Sequence, residues 1–148
     1  VVPDMITTAK APGAGFPAGA LLMGARVAAA LKPDVLGTTF GGGPLACAVV
    51  EAVIDAIENE GLLANVRRIS KLIRDTCVTG PVTGTQGEGF LLGLRTRGPA
   101  GEVQSALLAR DILAGTSADP HILRLLPPFT LGESHVALLR DALTGIGA

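Results

Sequence analysis

Ile6-Thr7-Thr8-Ala9-Lys10-Ala11-Pro12-Gly13-Ala14-Gly15-Phe16-Pro17 runs from a β-favouring segment into a corner of glycine and proline. Val1 to Thr8 predicts a strand, and Ala11 to Gly15 cannot continue it, so the backbone must turn there. Lys10 therefore stands at the mouth of a strand, beside backbone with no bulky side chains. A lysine attacks a carbonyl only as the neutral amine, a form favoured by desolvation or a neighbouring cation. The plainer reading of the same stretch is a solvated lysine in a loop, and the rest of the chain must choose between them.

Working outward, Phe16 to Met23 predicts a second strand, apolar throughout and hence buried on both faces. Ala25 to Leu31 predicts a short helix stopped at Lys32-Pro33, and Asp34 to Gly43 a loop carrying Thr38 and Thr39. Pro44 fits the first position of a long helix, with Leu45, Val49, Ala52, Val53, Ala56 and Ile57 at helical spacing and Gly61 as its end. A second helix, Leu62 to Cys77, places Leu62, Val66, Ile69, Leu72 and Ile73 on one face. Gly80 to Gly87 is a loop or short edge strand, Phe90 to Arg95 a strand, Pro99 to Leu113 a helix with Val103, Ala106, Leu107 and Ile112 inward, and His121 to Leu126 a last strand ended by Pro127-Pro128. Thr130-Leu131-Gly132-Glu133 has the spacing of a capping box and opens a helix to about Ile146. From Glu51 onward this order is that of a small α/β layer domain.

Composition narrows the function classes. Of 148 residues, 48% are hydrophobic and only 17% charged, so the chain can build a core and should also bury surface against another chain or domain. The net charge of -1 and the lack of a basic stripe leave no electrostatic footprint for nucleic acid. Arg67, Arg68, Lys71 and Arg74 are spaced as a solvated helix face. The longest apolar helical run, Leu45 to Val50, is cut by Glu51 and Asp55, too short to span a membrane. Cys47 and Cys77 form no metal pattern; both fall in apolar helical stretches as core residues, which points to a reducing, cytoplasmic compartment. No metal ligands are assigned; His121 is placed at the end of a surface strand and His135 on a helix face. Neither a starting methionine nor a leader peptide is visible, and the opening inside a strand is what a fragment or processed product would show.

Two further places could carry chemistry. Thr38 and Thr39 offer hydroxyls and backbone N–H groups beside glycines, a set suited to phosphate, and the helix beginning at Pro44 adds the positive end of its dipole. The plainer alternative is a turn that caps that helix. Arg124 sits in an otherwise apolar strand, where a buried guanidinium needs an anion; its planar fork suits a carboxylate, and the alternative is a structural ion pair.

Taken together, Pro3-Asp4-Met5-Ile6-Thr7-Thr8-Ala9-Lys10 with Gly15-Phe16-Pro17-Ala18-Gly19-Ala20, Gly37-Thr38-Thr39-Phe40-Gly41-Gly42-Gly43-Pro44-Leu45-Ala46-Cys47-Ala48, and Leu123-Arg124-Leu125-Leu126-Pro127-Pro128 resemble, in order and spacing, three segments of the class III (fold type I) pyridoxal-phosphate aminotransferases. The likeness is strongest to the acetylornithine and ornithine branch. It implies an α/β fold that is the C-terminal part of such an enzyme: residues 1–50 as the end of the large cofactor domain and residues 51–148 as the small C-terminal α/β domain. It implies pyridoxal 5'-phosphate as cofactor, Lys10 as the lysine that forms the Schiff base and then moves the proton, Thr38 and Thr39 as cofactor-phosphate ligands, Thr39 toward a neighbouring subunit, and Arg124 as the contact to a substrate carboxylate or a glutamate gate. Substrates would be a small-molecule amino donor and a 2-oxo acid.

The resemblance strains in places. The family usually carries Asn at Gly43, glycine-rich backbone at Pro12 and Ala14, and, in acetylornithine-type members, often His at Leu36. Missing are the aspartate for the pyridine nitrogen, a same-subunit phosphate loop, the stacking aromatic and a second substrate arginine. The chain alone is therefore expected to be inactive and to require a homodimer or the missing N-terminal half. A non-catalytic dimerisation or regulatory remnant, or another class III enzyme such as a diamine transaminase or an aminomutase, stays open.

Overall fold

A computed structural model describes residues 1–32 and 34–146. The chain divides into two compact units, Val1–Glu60 and Gly61–Ala148. The sequence reading puts its boundary near Glu51, within one continuous helix; the division falls at the end of that helix, where Gly61 takes the left-handed φ of 62° that glycine adopts at little cost.

In the first unit, β1 (Met5–Ala9) pairs antiparallel with β2 (Gly19–Met23), Met5 opposite Met23 and Ala9 opposite Gly19. Asp4 lies outside β1; its carbonyl accepts the Gly24 N–H at 2.9 Å and its carboxylate pairs with Arg26 at 2.8 Å, closing the open end of the hairpin. The corner between the strands is a 3-10 turn, Ala11–Gly13. Helix α1 is Ala25–Ala28, shorter than its sequence suggests; Pro33, the expected stop, lies outside the described residues. Helix α2, Pro44–Asn59, starts with proline at its first position as expected and packs on the 3-10 turn.

The expectation of a buried β2 is corrected. Leu21 and Leu22 are 45% and 54% exposed, and no residue of α2 is fully buried. A strand apolar on both faces needs cover on both faces, and a two-stranded hairpin supplies none. Cys47 is likewise exposed, not a core residue: it sits near the start of α2, its thiol toward the Gly42 carbonyl at 3.6 Å.

The second unit holds the core. A four-stranded antiparallel sheet runs in the order β3 (Val82–Glu88), β4 (Leu91–Thr96), β6 (Ile122–Leu125), β5 (Gly115–Thr116). Helices α3 (Leu62–Thr76), α4 (Ala100–Leu108) and α5 (Glu133–Ile146) supply the apolar stripes that pack with it. Period-two alternation sends Leu92, Leu94, Leu123 and Leu125 into one core with Ile69, Ile73, Val103, Leu107, Val136, Leu139 and Leu143. The helical spacing of Val66, Ile69 and Ile73 thus lands inward as read, whereas Leu62 and Leu72 are only partly buried. Gly80–Gly87 resolves into the edge strand β3. Helix α4 ends at Leu108, before the expected Leu113, because Asp111 turns to a left-handed φ of 59°. The two-residue strand β5 that follows carries no sequence signal of its own.

The capping box at Thr130 does not form. Glu133 is the first helical residue of α5, not the third, and its carboxylate pairs with Arg68. The reach-back to the helix start comes from His135, whose Nδ1 accepts the Gly132 N–H at 3.2 Å. Asn65 fixes the approach to this helix by donating to the carbonyls of Phe129 at 2.7 Å and Leu131 at 3.0 Å. Among the described residues, no helix is long and apolar enough to cross a membrane, and no cluster of His, Cys, Asp and Glu could hold a metal.

Candidate active-site residues and family membership

Lys10 follows directly on β1 with backbone angles φ 67° and ψ -92°, outside the regions open to a residue with a Cβ. Two contacts hold it there: the Gly13 N–H donates to the Lys10 carbonyl at 3.3 Å, and the Ala14 N–H to the Ala11 carbonyl at 3.0 Å. Ala14 is itself left-handed, at φ 45°. Gly15, at φ 105°, has open space where a Cβ would stand. The side chain of Lys10 borders an open concavity with Ala11, Gly15, Phe16, Pro17 and Ala18. Lys10 is exposed and, among the described residues, has no ion-pair or hydrogen-bond partner for its amine. The shielding from water that a neutral amine requires is not supplied by this unit.

Thr38 and Thr39 lie, exposed, in the loop before α2, and neither borders the Lys10 concavity. Gly41 is shaped by Thr38: a Cβ at Gly41 would stand 2.1 Å from Thr38 Cγ2. Gly43 caps α2 without a side chain, and the first turn of α2 holds no acidic residue. Hydroxyls, bare backbone and an uncompensated helix start form a donor set that an anion can use.

Arg124, in the second unit, is exposed on the sheet face opposite the core and, among the described residues, makes no ion pair. The structural ion pair that was its alternative reading is therefore not formed within the described residues. In cross-strand register it stands between Gly93 on β4 and Gly115 on β5. It also borders an apolar groove of about 680 Å³ with Leu113, Leu126, Pro127 and Leu138. The glycines beside Arg124 escape sequence reasoning because only the strand register brings them together.

Comparison with known proteins gives these residues a context. The aminotransferase class-III family matches residues 1–146. The acetylornithine aminotransferase of Streptomyces coelicolor is 43% identical over 150 residues, covering 99% of this chain and 37% of its own length. That of Agrobacterium fabrum is 38% identical, covering 95% and 37%. Among solved structures, the N-acetylornithine aminotransferase of Stenotrophomonas maltophilia aligns over 99% of this chain and 40% of its own, with 33% identity and a TM-score of 0.81. The acetylornithine aminotransferase of Elizabethkingia anophelis aligns over 99% and 39%, with 27% identity and a TM-score of 0.86. The chain thus spans somewhat over a third of the length of the relatives it matches, and across almost all of its own residues it belongs to the class-III aminotransferase family.

Proposed function

We propose that this chain is the C-terminal part of a pyridoxal-phosphate-dependent aminotransferase that moves an amino group from N-acetylornithine or a similar ω-amine to 2-oxoglutarate, a step suited to arginine biosynthesis. The observation that carries the reading is Lys10: a lone amine on a strained backbone at the end of β1, facing a concavity bordered by Gly15 and Pro17, within a chain of this family. The donor set fits the cofactor. Lys10 can hold its aldehyde, and the Thr38–Thr39 loop at the start of α2 can hold its phosphate.

Pyridoxal phosphate held there would supply an electron sink for the substrate carbon that carries the amine. Lys10 Nζ, tethered beside that carbon, would take its proton and deliver it to the cofactor carbon, and tethering removes much of the entropic barrier. Arg124 orients the substrate by gripping a carboxylate with its fork. As the family resemblance implies, Thr39 is assigned to the cofactor phosphate of a second subunit, in a homodimer or an assembly with the rest of the protein; that neither threonine borders the Lys10 concavity agrees with this assignment. The exposed apolar residues of β2 and α2 support such association, and the free cysteines support a reducing, cytoplasmic setting.

Treating the assembled protein with pyridoxal phosphate and borohydride tests this. The label should map to Lys10 and vanish in Lys10→Ala. Association without any label on Lys10 would instead favour a non-catalytic dimerisation remnant, the reading that the exposed faces also allow.

A further inference from the structure

The surroundings of Arg124 are asymmetric. Its neighbour on β4 is Gly93, which is buried: a Cβ there would stand 2.8 Å from Ile122 Cγ2 and 3.1 Å from Gln86 Cγ. Gln86 lies opposite Gly93 in register, and its Oε1 accepts a hydrogen bond from Arg95 Nη2 at 2.8 Å. The lane on the β4 side of Arg124 is therefore filled and tied down. On the other side Gly115 pairs with Arg124 on the edge strand β5, and a Cβ at Gly115 would stand 3.3 Å from Arg124 Nε and 3.5 Å from Nη2. The guanidinium thus lies along the bare backbone of Gly115, pointing to the sheet edge. Gly115 does not have a left-handed φ, so its missing side chain answers to the arginine and not to backbone conformation.

We propose that Gly115 is a positioning residue for Arg124: the absence of a Cβ on β5 opens the lane in which the guanidinium lies, and so sets where its fork meets a carboxylate. The inference rests on reading Arg124 as the carboxylate contact. Larger side chains at position 115 lift the guanidinium by a few tenths of an ångström or more and misalign a two-point contact whose strength depends on geometry.

The test is a double-mutant cycle in the assembled holoenzyme, with glutarate as a non-reacting dicarboxylate and its Kd read by calorimetry. Arg124→Gln should weaken glutarate roughly tenfold or more. Gly115→Val should weaken it on the order of threefold or more, with Gly115→Ala in between, KM for the 2-oxo acid rising more than kcat falls, and no further loss when Gly115→Val is added to Arg124→Gln. Melting curves decide which variants are folded; if Gly115→Val is not, Gly115→Ala carries the comparison. A Gly115 variant that binds glutarate normally while Arg124→Gln does not, or one whose loss persists in the Arg124→Gln background, overturns the positioning role. Unchanged binding in Arg124→Gln overturns the carboxylate reading of Arg124 itself, and the positioning role with it.

Discussion

Gly13 donates its N–H to the carbonyl of Lys10 at 3.3 Å, and so fastens the residue that carries the amine into a backbone conformation it would not choose alone. A φ of 67° with ψ at -92° costs a non-glycine residue on the order of 1–3 kcal/mol. Lys10→Gly and Lys10→Ala both delete the amine, but only glycine releases this strain. Lys10→Gly should therefore melt higher than Lys10→Ala, by an amount equivalent to about 1–3 kcal/mol less the extra chain entropy of glycine. Equal melting temperatures would mean that the conformation is not strained in the folded protein.

The same corner holds Ala14 at φ 45°, N-terminal to a glycine that takes a positive φ without penalty. An alanine there costs about 1–2 kcal/mol relative to a residue that accepts the left-handed region. Ala14→Gly should stabilise the protein by about 0.5–1 kcal/mol once the added freedom of the unfolded chain is counted. Denaturant unfolding of the assembled protein measures it, and a destabilised variant would contradict the strain at this position.

Gly41 is predicted to be intolerant because of one methyl group. A Cβ there would stand 2.1 Å from Thr38 Cγ2, but 3.4 Å from Thr38 Cβ. Gly41→Ala should therefore force the exposed Thr38 side chain to turn about χ1, at a cost of about 0.5–1.5 kcal/mol, and weaken cofactor binding. Serine lacks that methyl and keeps the hydroxyl, so Thr38→Ser should restore most of what Gly41→Ala loses. Failure of the rescue in a cofactor titration would separate Gly41 from Thr38.

The two cysteines should differ sharply. Cys47 is exposed, whereas Cys77 is fully buried, and burial pushes its thiol above the ordinary value of 9.0, against smaller lowering effects from the Thr76 hydroxyl and Arg140. A thiol reagent should modify Cys47 in the native protein and Cys77 only after unfolding. Because the folded thiol keeps its proton where the unfolded one loses it, stability falls as pH rises above about 9, by at most about 1.4 kcal/mol per pH unit. Below that range Cys77 adds no pH dependence. Cys77→Ala, at the expense of a cavity, should remove this slope from pH-dependent unfolding curves.

Sequence legibility follows from where each signal is local. Pro44 and Gly61 mark α2 because missing N–H groups and positive φ angles are properties of single residues. Val66, Ile69 and Ile73 mark the core face of α3 because helical periodicity repeats within one element. The side of Arg124 toward Gly115 could not be read, because β5 is two residues long and only register sets the pair. The exposure of β2 and Cys47 is hidden from the sequence for a related reason. Apolar composition reports that a surface needs cover, not that the same chain provides it.

The start of α5 offers a sharp case of one motif replaced by another. Thr130 and Glu133 have the spacing of a capping box, yet the helix begins at Glu133 and the reach-back falls to His135, whose Nδ1 accepts the Gly132 N–H at 3.2 Å. With Gly132 outside the helix and His135 third within it, the ring does what Glu or Gln does at that position. His135→Gln should preserve the contact, whereas His135→Ala should cost about 0.5–2 kcal/mol. Thr130→Ala should cost almost nothing, since among the described residues the amide at the start of α5 that a side chain caps is that of Gly132, and His135 caps it. Equilibrium unfolding of the three variants separates the motifs: a large loss in Thr130→Ala with little in His135→Ala would return the cap to Thr130.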